Sequence, residues 1–507
     1  MQLNSKGCSV SKYIMAIDQG TTGTRVILFD RRGQIICDAY QEIKQFYPRP
    51  GWVEHNPEDY WKTTRNCIRK VLFQSGADPR SIVGIGITNQ RETTIMWDKI
   101  TGEPVSNAIA WQCRRTAPIC KELKRKGLEN RVRQITGLFI DPYFSATKIK
   151  WIIDSMKGIK EKIKKGRILA GCVDSWLIWK LTGGRVHATD YSNASRTMLF
   201  DVKKLEWNVE LLELLDIPPE IMPQVKPSSN IFGYTDKNVL FGLQAPVAGV
   251  AGDAQAALFG QACFKSGMAK NTYGTGLSLM MNIGDKFILS KNGLTTALAW
   301  KDSGEIYYAL EGVAFNGGAA VQWLRDGLRI IDNPSQSEAV AKSVSNTRGV
   351  YVVPAFTGLC APHWDAYARG TIIGITRGTT REHIVRATLE SIAYQTKDIL
   401  DAMICDLQIT LNSLAVDGGA SVNDFLMQFQ ADILGIPVER PVISEMAALG
   451  AAFLAGLTLG FWHNKDEIRK KRVIDKVFEP KMSKEKRDKL YQGWKRAVKR
   501  SLRWVEE

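Results

Sequence analysis

Among 507 residues there are only five histidines, and no two cysteines stand as a CxxC pair. His55, His187, His363, His383 and His463 are far apart and show no metal-ligand spacing, so neither a zinc ribbon nor a thioredoxin-type site is indicated. The nine cysteines, odd in number and scattered, read as reduced thiols and point to a cytoplasmic home. No Gly-Lys dipeptide occurs anywhere, which excludes the GxxxxGK(S/T) phosphate loop. GxGxxG after a strand, a His-Arg-Asp catalytic loop and a GxSxG nucleophile elbow are missing too. Residues 1–12 lack an apolar segment, so no secretory signal is expected there. The most apolar run, residues 446–462, is too short and too rich in Ala and Gly to span a bilayer; it reads as a closely packed core helix.

What is present is an ordinary soluble composition, 44% hydrophobic and 24% charged, with a formal charge of +16. The basic residues gather at 157–167, 465–476 and 484–503. In the last segment Leu490, Trp494, Val498 and Leu502 recur every four residues, an amphipathic helix with a basic outer face. No nucleic-acid motif accompanies that charge, so a solvated face is the expected explanation and neither nucleic acid nor membrane insertion is assigned.

The chain opens as a meander, with strands expected over 12–18, 24–30 and from Ile35, and a polar turn at 19–23. Asn56-Pro57-Glu58-Asp59 signals a helix start, running to about Gln74. Residues 82–88 form a strand apolar enough for burial on both faces, and 93–98 and 104–111 are expected to continue in extended form. Residues 115–240 read as alternating helix and loop, with 141–144 extended. Residues 247–250 read as a buried strand turned by Ala251 and Gly252, with a helix over 254–259. Asp253 therefore stands at a strand's carboxyl end, where open α/β sheets put ligands, or else simply N-caps the helix.

A second meander follows, with strands over 267–273 and 277–282 joined by Gly274-Thr275-Gly276. It echoes Gly20-Thr21-Thr22-Gly23 and suggests a duplicated architecture. Residues 414–416 lead as a strand into Asp417-Gly418-Gly419, and a helix follows from Asp424. Backbone N–H groups in such glycine turns make concave anion sites, and threonine hydroxyls and Arg25 add donors. Two domains, 12–260 and 261–507, with a nucleotide cleft between them are the expected organisation.

AIDQGTTGTR (16–25), ITNQRETT (87–94), AWQCRRT (110–116), DPYFSATK (141–148), DYSNASRTMLF (190–200), NTYGTG (271–276), PAFTGL (354–359) and VDGGA (416–420) resemble the glycerol kinase branch of the FGGY carbohydrate kinases. The likeness runs from about Tyr13 to Trp504. It implies two α/β domains of the actin/hexokinase (ribonuclease H-like) type. It also implies ATP-dependent phosphorylation of glycerol to sn-glycerol 3-phosphate in glycerol catabolism. By the same likeness Thr21, Thr22, Gly23 and Thr275 meet the ATP phosphates, and Arg25 reaches the transferred group. Gly318, Gln322, Gly419 and Asn423 hold the nucleotide, and Asp18 handles Mg²⁺ through water. Asp253 is implied as the base that takes the acceptor's proton. Arg91 and Glu92 bind adjacent hydroxyls, Tyr143 adds a hydrogen bond, and Trp111 walls the carbon chain. Phosphoryl transfer suits such a set, because its loose transition state asks mainly for positioning and charge.

Two positions depart from the pattern: Ala254 replaces a glutamine and Ser278 an aromatic ring. Both are smaller, which opens the alternative of a longer polyol or sugar as acceptor. Residues 233–245 hold no Arg and no His, so control by a sugar bisphosphate or a phosphorylated histidine is not expected. A non-catalytic actin-like nucleotide binder is a third reading, disfavoured by the joint presence of Asp18, Arg91, Glu92, Tyr143 and Asp253. Homodimer and homotetramer both stay open.

Overall fold

In a computed structural model of the chain, residues 11–302 and 304–506 are described. The expected absence of a signal falls largely on residues 1–10, outside them. The chain separates into two compact units. Unit 1 comprises 1–260, 297–306 and 447–471; unit 2 comprises 261–296, 307–446 and 472–507.

Unit 1 is built on strands β1 (Tyr13–Gln19), β2 (Gly23–Phe29) and β3 (Ile35–Glu42), helix α1 (Pro57–Ser75), and strands β4 (Ile82–Asn89), β5 (Ser229–Tyr234) and β6 (Pro246–Gly252). Helix α2 (Asp253–Gly260) closes the series. The six strands lie in the order β5-β6-β4-β1-β2-β3. β1 pairs antiparallel with β2 and parallel with β4, and β4 is parallel to β6. Buried on both faces, β4 reads as the near-continuous apolar run such a position requires. Asn56 caps α1 through the Glu58 N–H, and Pro57 takes the first helical position, where no N–H is needed.

Residues 446–462 do form a helix, Met446–Thr458, and among the described residues no helix is long and apolar enough to cross a membrane. Its small residues press on the sheet of unit 1. A methyl group at Gly86 would overlap the Ala451 carbonyl, one at Gly249 the Ala455 nitrogen, and one at Gly450 the Ala256 carbonyl oxygen. Thr458 Oγ1 donates to the Ala248 carbonyl at 2.7 Å, tying the helix to β6.

The second sheet begins with β7 (Ala269–Tyr273), β8 (Leu277–Gly284), β9 (Thr295–Asp302) and β10 (Glu305–Ala314), followed by α3 (Gly318–Asp326); residues 297–306, most of β9 and the start of β10, group with unit 1. The long helix α4 (Arg381–Leu407), β11 (Leu414–Asp417), α5 (Asp424–Leu434), β12 (Val438–Pro441), β13 (Ile474–Phe478) and α6 (Lys484–Ser501) complete unit 2. The order is β9-β10-β8-β7-β11-β12-β13. From β10 to β13 this repeats the pattern of unit 1. Three antiparallel strands meet a parallel pair, and an antiparallel edge strand follows. Of the expected stripe, α6 buries Trp494 and Val498, beside Ala497; Leu490 is half-buried, and Leu502 stands just past the end of the helix in extended backbone.

Several local expectations need correction. Residues 93–98 and 104–111 hold only the short strands Ile95–Asp98 and Ala108–Ile109, because the intervening polar residues are committed to loop contacts described below. Residues 141–144 are a turn, not extended: Asp141 Oδ1 accepts the Tyr143 N–H at 2.9 Å, and the Phe144 N–H bonds the Asp141 carbonyl. Between 115 and 240 short strands such as Ile168–Gly171 and Ala188–Asp190 interrupt the helices. The β6 strand runs through Gly252, and α2 starts at Asp253 itself.

Candidate active site

The register of the three central strands sets the site in unit 1. Asp18 on β1 and Ala251 on β6 both stand opposite Thr88 on β4, so three parallel strands end level with one another. Asp18 near the end of β1, Arg91 and Glu92 in the loop after β4, and Asp253 at the start of α2 therefore lie at one end of the sheet, the usual ligand position in an α/β fold.

Arg91 is 5% exposed and its Nε lies 3.0 Å from Asp253 Oδ1, while Nη1 donates to Gln255 Oε1 at 3.2 Å. The Arg91 stem runs along Gly252, where a Cβ would come within 2.5 Å of Arg91 Cδ; glycine is required for this approach. Asp253 accepts the N–H of its neighbour Ala254 at 2.7 Å and keeps 44% of its side chain exposed. An N-cap would bind the N–H two or three positions on, so capping is not its arrangement here.

Glu92 is 1% exposed and sits at φ 61°. A non-glycine residue in that region costs on the order of 1–3 kcal/mol and persists only when its surroundings hold it. Its carboxylate accepts from Arg196 Nε at 2.6 Å, and its carbonyl accepts from Lys148 Nζ at 3.0 Å and Ser145 Oγ at 3.2 Å. Burial pushes the Lys148 amine down to about 8, against the nearby Glu92 charge, which raises it. Tyr143 stands edge-on to Trp111, ring centres 5.6 Å apart. The Trp111 indole N–H donates to Thr21 Oγ1 at 2.9 Å, linking that aromatic pair to the first glycine hairpin.

That hairpin is fixed from beneath. Gln90 donates its backbone N–H to the Gln19 carbonyl at 2.8 Å and its side chain to the Gly20 carbonyl at 3.2 Å. Thr24 Oγ1 donates to Gln19 Oε1 at 2.6 Å. Gly23 is buried, Thr21 is half-buried and Thr22 exposed. Arg25, opposite Asp18 in register, contacts Asp38 Oδ2 at 3.2 Å. A buried network backs the sheet edge: Asn89 Nδ2 donates to Asn193 Oδ1 at 3.1 Å, and Asn193 Nδ2 donates to Asp190 Oδ1 at 2.9 Å.

In unit 2 the second hairpin meets the start of α3. The Gly318 N–H donates to the Gly274 carbonyl at 2.8 Å, and the Gly317 and Ala319 N–H groups donate to the Thr275 carbonyl. Thr275 is exposed, as is Gln322 on α3. Gly418 has φ 88° and lies against the Tyr273 backbone, whereas a Cβ at Gly419 would meet nothing within 4 Å. Asn423 caps α5 through the Leu426 N–H at 2.9 Å, so its family role and a structural one coincide. Ser278, on β8, has a buried hydroxyl with no hydrogen-bond partner among the described residues. No group of three His, Cys, Asp or Glu suited to a metal ion occurs among the described residues.

Arg196, Lys148 and Gln255 were not singled out from the sequence, although Arg196 and Lys148 lie inside quoted motifs. Their partners are remote: Glu92 and Arg196 are 104 positions apart.

A duplicated ribonuclease H-like sheet, each copy carrying a hydroxyl-bearing glycine hairpin, is the framework of the two-domain α/β kinases. Comparison with known proteins narrows this. The N-terminal domain of the FGGY family of carbohydrate kinases matches residues 13–260 and its C-terminal domain residues 269–459. The chain belongs to the FGGY family of carbohydrate kinases. It is 60% identical over 498 residues to the "Glycerol kinase" of Thermoanaerobacter sp. (strain X514), covering 98% of this chain and 100% of that one. The glycerol kinase of Plasmodium falciparum, solved with ADP, superposes with a TM-score of 0.90 at 38% identity over 98% of this chain and 99% of the other. A ligand-bound xylulose kinase from Lactobacillus acidophilus shares the fold, with a TM-score of 0.84 at 23% identity over 95% and 96% of the two chains.

Proposed function

We propose that this chain transfers the γ-phosphoryl group of ATP to glycerol, giving sn-glycerol 3-phosphate, in the cytoplasm. The observation that carries the reading is the pairing of a half-exposed Asp253 with a buried Arg91 at the carboxyl ends of β4 and β6. Arg91 holds one Asp253 oxygen, and the exposed part of the carboxylate is left to accept the proton of an attacking hydroxyl. Arg91 donates to one acceptor hydroxyl and Glu92 accepts from its neighbour. Tyr143 adds a hydrogen bond, and Trp111 covers the carbon skeleton.

Thr21, Thr22, Gly23 and Thr275 are assigned to the ATP phosphates, and Arg25 to the charge on the transferred group. Gly318, Gln322, Gly419 and Asn423 are assigned to the nucleotide; the open space over Gly419 supports close approach to its backbone. Magnesium fits the residues present: such an ion keeps most of its waters and takes phosphate oxygens, and Asp18 supplies a half-buried carboxylate at the end of β1. When bound, it neutralises phosphate charge. Of the domains 12–260 and 261–507, the first carries the acceptor residues and the first phosphate hairpin, and the second the nucleotide residues; 297–306 and 447–471 group with the first unit. The free thiols of the eight described cysteines support the cytoplasmic assignment.

A second reading, a longer polyol as acceptor, is favoured by one observation. Ser278 offers a buried hydroxyl without a partner where the family carries an aromatic ring, and Ala254 is only a methyl group. A coupled ADP-release assay over glycerol, erythritol and the pentitols separates the two. Highest kcat/KM on glycerol sustains the first, and highest kcat/KM on a pentitol replaces it with the second.

A further inference from the structure

We propose that Arg196 and Lys148 act as positioning residues that clamp the acceptor-binding pair Glu92 and Tyr143. The proposal rests on the reading above, in which those two residues touch the acceptor. Both cations are buried, Arg196 1% and Lys148 0% exposed, and their hydrogen bonds go to the acceptor residues. Each spans both acceptor residues. Lys148 Nζ donates to the Glu92 carbonyl at 3.0 Å and to the Tyr143 carbonyl at 2.6 Å. Arg196 Nε donates to Glu92 Oε1 at 2.6 Å, and its guanidinium lies 5.6 Å from the Tyr143 ring centre and 5.2 Å from that of Phe144.

The division of labour is physical. Lys148 holds two backbone carbonyls, and so fixes where the main chain of each acceptor residue stands. It projects from the helix Ser145–Ser155, which begins two residues after Tyr143. Arg196 holds the Glu92 side chain, and fixes the orientation of its carboxylate. The left-handed backbone of Glu92, φ 61°, is what a clamp of this kind must hold in place. A buried carboxylate is held in one orientation only when paired and hydrogen-bonded, so removing the guanidinium releases the side chain into competing contacts.

The experiment compares Arg196→Met, Arg196→Lys and Lys148→Met with the full-length wild type, using the polyol that the wild type turns over best. Arg196→Met is expected to raise the acceptor KM at least about 20-fold, the effect of losing a hydrogen bond to a charged group, while the ATP KM stays within about twofold. Arg196→Lys is expected to raise the acceptor KM about fivefold, and methylguanidinium to restore part of the Arg196→Met loss. In a Glu92→Gln background the Arg196→Met step should shrink to about threefold or less, because the two residues act as a unit.

Equal rises in acceptor and ATP KM, or full additivity with Glu92→Gln, overturn the clamp. If Arg196→Met or Lys148→Met does not fold, Arg196→Lys carries the same comparison, and an unchanged acceptor KM there overturns it. A wild type that prefers a longer polyol to glycerol overturns the substrate reading alone, and the clamp is then judged on that polyol. A wild type inactive on every polyol overturns both.

Discussion

The two units share one strand order and carry different residues at the same end of it. At the end of the sheet in unit 1, the loops deliver long charged side chains into buried positions: Arg91 is 5% exposed and Glu92 and Arg196 are 1% exposed. At the corresponding end in unit 2, the loops deliver glycine and backbone: Gly274, Thr275, Gly418 and Gly419. Side-chain geometry suits a small acceptor whose hydroxyls must be told apart, and backbone N–H groups suit a phosphate, which any correctly placed donor satisfies. Under the proposed function, a duplicated scaffold keeps the order of its central strands and a glycine hairpin in each copy, and differs in the charged side chains that unit 1 adds.

The comparison breaks most decisively at Asp253. Asp253→Asn should lower kcat by roughly 1000-fold, within the range for a general base, with nucleotide affinity unchanged by calorimetry. Parallel loss of nucleotide affinity would mean that the acceptor loops also carry nucleotide. Two glycines come next. Gly86→Val, against the Ala451 backbone, should lower stability by about 3 kcal/mol or more in denaturant titration, an overpacking effect at an unyielding contact. Gly419→Ala, with open space above it, should leave stability within about 0.5 kcal/mol and raise the ATP KM instead. A stability loss at Gly419 would erase the distinction between packing glycines and binding glycines.

Trp111→Phe removes the hydrogen bond to Thr21 and should cost about 1 kcal/mol, read as a rise in acceptor and ATP KM of up to tenfold. The smallest effect concerns pH. Burial pushes the Asp174 carboxyl up to about 7, with Asp190 adding to the rise. The folded state then holds more protons than the unfolded between about pH 4 and 7, so this group lends stability at low pH and loses it as pH rises. His55 and His187, lowered to about 4 by burial, work in the opposite sense over the same window. Asp174→Asn should therefore gain stability relative to wild type as pH rises from 5 to 7, by about 1–2 °C in Tm per kcal/mol released in a chain of this size. A pH-independent difference would show that Asp174 is ionised in the folded chain.

The fold was legible where local chemistry decides it. The Asn56-Pro57 helix start, the two glycine hairpins and the apolar strand at 82–89 lie within one or two residues of expectation. The loops at the sheet edge were not: residues 93–111 take their shape from partners remote in sequence, and 141–144 turn on the Asp141 side chain and carbonyl. Thr93 Oγ1 accepts the Trp111 N–H, and the Thr94 and Ile109 backbones bond each other in both directions. The same limit hid Arg196. No spacing rule links residue 92 to residue 196, and only the fold shows the pair. Asp253 was ambiguous for a related reason: a cap and a site carboxylate look alike in a sequence, and its ion pair with Arg91 and bond to the adjacent Ala254 N–H exclude the cap.

The helix Met446–Thr458 has a consequence for how the chain must be made and cut. Matched by sequence to the C-terminal domain, it nevertheless fills the glycine-lined face of the unit that began at the N-terminus. A ribosome therefore releases nearly the whole polypeptide before the first sheet can be covered. A gene divided after residue 260 would yield an amino-terminal fragment with an open apolar trough, one expected to aggregate unless the 447–471 segment is supplied in trans.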